Sequence, residues 1–180
     1  MLLWTTRREV RYHMIMDHLA LEAGRLNIAV CGAGDCEGET AELARRVGEG
    51  LARAGAVVIC GGLEGVMEAS CRGAFEAGGL TVGILPGGSL LDANRFVKVA
   101  VATNLGESRN AVIVHSALAV IAISGGYGTL SEIALARKTG KPVVSLHSWE
   151  MGPDIIKAED ADEAVKLALE AAEPRRRSVE

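Results

Sequence analysis

Aromatic side chains are what this chain has least of: Phe, Trp and Tyr together make up 3% of its 180 residues. That leaves little for the stacking platform on which single-stranded nucleic acid lies. Net positive charge is missing as well. The formal balance is −4, whereas duplex binding leans on a basic face. Small anionic metabolites stay compatible, because a cluster of backbone N–H groups and one or two Arg would hold them. The expected partner is therefore a small phosphorylated molecule and not a nucleic acid. Long apolar runs are absent too. The most apolar segment, residues 111–123, carries His115 and Ser116 and is too short to span a bilayer. No apolar stretch followed by small residues marks the start as a secretory signal. No membrane partner is expected, and the expected location is cytoplasmic. Cysteines are few, at positions 31, 36, 60 and 71, with no C-x-x-C spacing and no nearby His pair. No metal site is assigned on that pattern. Cys31 and Cys60 each end an apolar run and read as small buried hydrophobes; a disulfide would suit mainly the cytosol of a hyperthermophile.

What is present is a βα alternation with 49% hydrophobic residues, in a chain long enough for one α/β domain and too short for two comfortable ones. Short β-branched runs at 28–31, 56–60, 80–85, 96–101, 118–123 and 142–146 predict strands, with a last edge strand at 155–158. Helical patterns fall between them at 40–54, 63–77, 107–116 and 133–138, and a final amphipathic helix at 160–172. Strands separated by helices of this length imply a three-layer αβα sandwich around a mainly parallel sheet of six or seven strands, with right-handed crossovers. Residues 1–26 read as a helical extension outside the repeat, 27–173 as the single domain, and 174–180 as a charged, solvated tail.

The informative stretch is 124–132, Ser-Gly-Gly-Tyr-Gly-Thr-Leu-Ser-Glu. It follows an apolar strand and precedes a helix, so it reads as strand end, glycine turn and helix start. N–H groups at such a start are unpaired and carry partial positive charge, which suits a phosphate or carboxylate. Gly125, Gly126 and Gly128 let a ligand approach the main chain, with Tyr127 and Thr129 beside them. A purely structural alternative exists for part of it: Thr129 and Glu132 have the spacing of a capping box. Capping does not explain three glycines in four positions. Glycine turns also follow the first strand (Gly32, Gly34), the second (Gly61, Gly62) and the third. All fall on the rim where parallel sheets bind ligands.

Dinucleotide binding is disfavoured. Glu37 stands where the third glycine of G-x-G-x-x-G would be, and no acid follows the second strand to hold a ribose. A Walker loop is missing because no Lys-Ser/Thr follows the glycines. Arg109, in the first turn of the helix after the fourth strand, opposes that helix's dipole. It is either a surface residue pairing Glu107 or a partner for Glu132 across the rim. An Arg and a Glu over a phosphate loop suit cleavage of a ribosyl bond, with the carboxylate stabilising an oxocarbenium-like centre or orienting water. Asp35, Glu68 and Asn94 read as turn or cap residues, and His115 as a packed core or interface histidine. Tyr127 either stacks on a ligand ring or covers the turn, and Trp4 and Trp149 fall outside the site.

These motifs resemble a known family. Residues 125–132 are similar to the PGGxGTxxE signature of the LOG ("lonely guy") family, residues 61–67 to its GGGxxGLM turn, and residues 79–86 to its GGxVIGVIP strand. The resemblance implies a Rossmann-like fold, a homo-oligomer (dimer or tetramer), and hydrolysis of cytokinin riboside 5′-monophosphates to free base and ribose 5-phosphate. Arg109 and Glu132 occupy the positions of that family's catalytic pair, and no cofactor is required. Ser124 replaces the signature's Pro, Asn110 the Lys of its Arg-Lys pair, and Ser131 the Glu found there in many members. The combination looks closer to a sister branch of molybdenum cofactor carriers, which bind the pterin without known turnover. The implied ligand is a nucleoside monophosphate, phosphate or molybdenum cofactor.

Overall fold

A computed structural model of the chain describes residues 26–177. Residues 1–25 of the expected helical extension, with Trp4, lie outside those residues. Seven strands, β1 (Asn27–Gly32), β2 (Val57–Cys60), β3 (Leu80–Leu85), β4 (Val99–Ala102), β5 (Ala119–Ile123), β6 (Val143–Leu146) and β7 (Ile156–Lys157), form one sheet in the order β4-β3-β2-β1-β5-β6-β7. Every neighbouring pair is parallel. Among the described residues five α-helices cover it: α1 (Gly38–Arg53), α2 (Val66–Glu76), α3 (Arg109–His115), α4 (Tyr127–Lys138) and α5 (Ala161–Arg177). This is the three-layer, Rossmann-like α/β architecture that the alternation predicts.

Side-chain alternation along each strand assigns the layers. Ile28, Val30, Val58, Ile121 and Ile123 face a core built with Ala44, Val47 and Leu51 of α1, Val66 of α2 and Ala164 and Ala168 of α5. Their sequence neighbours Ala29, Val57, Ile59, Val120 and Ala122 face the opposite way. There they pack on Ile113 and Val114 of α3 and Ile133 and Ala136 of α4. Both faces are apolar, so β5 reads as an unbroken hydrophobic run, as a strand covered on both sides should.

The chain steps from β1 outward to β4, then returns to lay β5 against the other side of β1. That reversal opens a crevice at the carboxyl ends of β1 and β5, the switch point of a doubly wound sheet. Gly32 pairs with Ile123 there. A Cβ on Gly32 would stand 2.3 Å from the Ile123 carbonyl oxygen, so glycine is what lets the two strands end side by side.

Among the boundaries that differ from the sequence expectation are the start of β4 and the end of the last helix. β4 starts at Val99 instead of residue 96, because the buried Thr81 hydroxyl donates to Phe96 O and accepts from Lys98 N–H, replacing the ladder there. The last helix runs through Glu173 and Pro174 to Arg177 instead of stopping at residue 172. His115 is exposed on this chain at the last turn of the short α3, so it is not a core histidine. Cys31, Cys60 and Cys71 are buried, as small hydrophobes would be, and all four cysteines are free. Cys60 and Cys71 touch, with their sulfurs 3.4 Å apart.

Helices α1 and α2 cross with almost no side-chain layer between them. A Cβ at Gly73 would lie 1.8 Å from Arg45 O, and one at Gly48 1.9 Å from Ser70 O. Both obstacles are backbone, so neither can rotate away. Gly73→Ala should therefore destabilise the fold by about 1–3 kcal/mol, as overpacking does. The shift would appear as a lower urea midpoint, while Gly55→Glu, at a position with open space around it, gives a smaller loss that arises only from its positive φ.

Candidate functional site

The loop after β5 begins its helix earlier than the residue pattern suggests. Gly126 is the N-cap of α4, and its carbonyl already accepts the Leu130 N–H at 3.0 Å. Thr129 is thus the third helical residue, buried, and makes no capping bond. The capping-box account of Thr129 and Glu132 is overturned: Glu132 sits in the second turn of the helix and is only 6% exposed. The N–H groups of Tyr127, Gly128 and Thr129 open the helix with no acceptor one turn back. They give the mouth of the crevice its positive end.

Arg109 is not a surface residue either. It begins α3 after a 3₁₀ turn at Gly106–Ser108 and is 7% exposed. Its Nη1 lies 3.7 Å from Glu132 Oε1, close enough for charge attraction and too long for a hydrogen bond. Gly61 makes room for it: a Cβ there would lie 2.6 Å from the guanidinium. Two buried polar atoms of α3, Arg109 Nε and Asn110 Oδ1, have no partner. Orphaned groups of this kind cost free energy that a ligand could recover. The other end of the Asn110 amide is engaged, donating to Ser131 Oγ at 2.9 Å, and Ser131 donates to Gly128 O.

These elements enclose a cavity of about 320 Å³, lined by Gly32, Gly34, Arg109, Gly126, Gly128, Thr129 and Glu132 among the residues singled out in the sequence. Cys31, Leu63, Met67, Glu107 and Asn110 complete the wall. They carry no glycine signal; Leu63 and Met67 fall within the 61–67 motif, and Glu107 and Asn110 flank Arg109 in sequence. The glycines divide into two kinds. Gly32, Gly61, Gly62 and Gly125 are packed so tightly that a Cβ would collide with protein atoms, and Gly125 (φ +104°) lies against Thr129. Gly34, Gly126 and Gly128 would put a Cβ into open space. Gly61, Gly62 and Gly125 therefore support the wall from behind. Tyr127 turns outward, 84% exposed, and stacks on Trp149 with ring centroids 6.2 Å apart. Trp149, expected outside the site, does not line the cavity, but its indole N–H bonds the carbonyls of Gly125 and Gly126 in this loop. Asn94 is a strap, its amide donating to the carbonyls of Gly62 and Leu63. Among the described residues no group of three or more His, Cys, Asp or Glu side chains could hold a metal ion, and no helix is long and apolar enough to cross a membrane.

Residues 25–176 match the model of the SLOG cluster4 family. The chain belongs to that family. An uncharacterised protein of Archaeoglobus fulgidus is 47% identical over 147 residues, covering 82% of this chain and 97% of its own. The molybdenum cofactor binding protein of Rippkaea orientalis superposes with a TM-score of 0.76 at 34% identity, over 81% of this chain and 96% of that one. The Moco carrier protein of Chlamydomonas reinhardtii gives 0.76 at 29% identity, over 83% and 99%. The resemblance read from the glycine motifs, to the LOG family on its molybdenum cofactor carrier-like side, is borne out.

Burial holds the Glu132 carboxyl up near pH 7; the Arg109 charge and a contact from Cys31 only partly offset it, and Glu107 adds to it. The ordinary value is 4.5. Across that interval the unfolded chain releases the proton while the native state keeps it. Stability therefore falls as pH rises from about 4.5 to 7 and levels off above. This one group should cost the ligand-free protein up to about 3 kcal/mol over that window. Urea titrations of wild type and Glu132→Gln at several pH values would show the variant gaining on the wild type through the window; a constant offset would mean that Glu132 titrates normally.

Proposed function

We propose that this protein binds the phosphate monoester of a compact heterocycle at the switch point and acts as its carrier, with the phosphorylated pterin of the molybdenum cofactor as cargo. The observation that carries the reading is the unpartnered Arg109 Nε, buried in a cavity whose other wall is the open N-terminus of α4. A dianionic phosphate satisfies both at once. Leu63 and Met67 supply an apolar wall for a flat ring. About 320 Å³ suits one small ligand and not a dinucleotide. The residues present thus fit the pterin phosphate in charge and in size. The named neighbours in Rippkaea and Chlamydomonas, similar over four-fifths of this chain, support the same cargo.

A second reading rests on Glu132. A carboxyl held near pH 7 beside an arginine is populated in both protonation states at neutral pH. Such a group can orient water or stabilise positive charge on a ribose as its bond to a base breaks. In this reading the protein is a nucleoside 5′-monophosphate phosphoribohydrolase, and Arg109 anchors the phosphate or assists the leaving base. Asn110 and Ser131 favour the carrier. Where the LOG pattern has a lysine and often a glutamate, this chain has two neutral side chains that hydrogen-bond each other.

Equilibrium titration with AMP and with a pterin monophosphate tests the first reading. Wild type should bind saturably, and Glu132→Ala should bind as well or better, because the ligand no longer competes with the carboxylate 3.7 Å from Arg109. Gly128→Val should lose at least tenfold in affinity with little change in melting temperature, since its side chain enters open space. Failure of wild type to bind either phosphate ester would overturn the proposal. Incubation with AMP and assay of free adenine tests the second. Release above the Glu132→Ala background would replace the carrier with the hydrolase.

A further inference from the structure

Three successive carbonyls of the loop in front of α4 are held from one side by the segment that follows β6. Ser148 Oγ donates to Ser124 O at 2.5 Å, and the Trp149 indole N–H is shared between Gly125 O at 3.1 Å and Gly126 O at 3.2 Å. In a trans peptide the N–H points opposite to the C=O. Fixing the carbonyls of Ser124 and Gly125 toward β6 therefore aims the N–H groups of Gly125 and Gly126 away from it, toward the side on which Gly126, Gly128 and Thr129 line the cavity. The backbone on both sides of this contact is unusual. Ser124 and His147 each have positive φ, +50° and +54°, without being glycine. They sit at adjacent strand ends, where Ser124 N–H bonds Leu146 O. Strain of this kind persists only where the surroundings hold it. The Tyr127 ring stacks on Trp149.

We infer that Trp149, with Ser148, is a positioning residue for the phosphate cradle: it bonds the loop's carbonyls from behind so that its N–H groups are already aimed when the anion arrives. The inference rests on the phosphate-binding reading. That reading draws on the buried, unpartnered Arg109 Nε as well as on the helix end. The role differs from that of the cavity residues, because neither Trp149 nor Ser148 lines the cavity. Its contribution is preorganisation, which raises affinity by lowering the ordering cost of binding.

Trp149→Phe separates the donor from the ring. It keeps an aromatic face against Tyr127 and deletes the N–H, whereas Tyr127→Leu removes the stack and leaves the donor. In the ligand-free protein, ¹⁵N relaxation should give the Gly126 and Gly128 amides rigid-backbone order parameters of about 0.85, falling toward about 0.6 in Trp149→Phe. AMP titration should show Trp149→Phe weakened about fivefold, and more than Tyr127→Leu. Should Trp149→Phe fail to fold, Ser148→Ala, which removes the bond to Ser124 O, takes its place with the same expected direction. Order parameters unchanged by either donor deletion would overturn the inference, whether or not AMP binds. So would equal losses of affinity in Trp149→Phe and Tyr127→Leu. Failure of wild type to bind any phosphate ester, with the loop still loosened by Trp149→Phe, would instead sink the phosphate reading and leave the positioning of the loop standing.

Discussion

A guanidinium and a carboxylate, both buried and 3.7 Å apart at the edge of an apolar sheet, set the terms for everything around them. Desolvating two charges costs several kcal/mol per ion, and attraction repays it only where geometry is good and the remaining valences are filled. Here the separation is too long for a hydrogen bond and Arg109 Nε is unfilled. A pair this poorly satisfied would be a liability in a protein built for stability alone. The surrounding structure nonetheless accommodates it. Gly61 gives up its side chain so that the guanidinium can lie flat, and α3 begins at Arg109 even though a cation there opposes the helix dipole. The free energy left unrecovered in the empty site is the free energy that an anion bound between Arg109 and α4 would return.

That logic explains which features were legible in the sequence. The strands around the switch point were, because burial on both faces leaves no choice but unbroken apolar runs such as residues 119–123. The rim glycines were legible for a related reason: close approach forbids a Cβ, and only one residue type lacks one. What glycine does not encode is which side of the backbone is crowded. Gly34, Gly126 and Gly128 face open space while Gly32, Gly61, Gly62 and Gly125 face protein, and the letters are the same. The start of α4 was hidden because Gly-Tyr-Gly has low helix propensity; the helix forms there because Ile133 and Ala136 dock the following turns against the sheet.

Trp149 was invisible for a different reason. Its partners are main-chain carbonyls 23 and 24 residues earlier, and any residue offers a carbonyl. No pattern of side chains marks an acceptor that every position has. Arg109 and Glu132 lie 23 positions apart with the same separation problem, yet the sequence did suggest them together. The difference is topological: both follow strands whose carboxyl ends must share one rim, so the sheet order alone brings them near. Trp149 also follows such a strand, but it acts on the back of the loop, and the rim argument speaks only for the front.

The departures from the LOG pattern argue as a pair. Taken singly, Asn110 for lysine and Ser131 for glutamate are each a lost charge. In the structure they are in contact, Asn110 Nδ2 on Ser131 Oγ, and Ser131 in turn on Gly128 O. One positive and one negative group have been replaced together by a neutral bridge that joins α3 to α4 beside the cavity. Among the described residues lining the cavity Arg109 is then the one cation, with Glu132 and Glu107 in the same wall. A site that must develop and neutralise charge on a breaking ribosyl bond gains from extra charged groups close by. A site that only holds an anion and later lets it go does not. It needs one cation, an open helix end and walls that keep their shape, and the neutral bridge preserves those walls without deepening the electrostatic well.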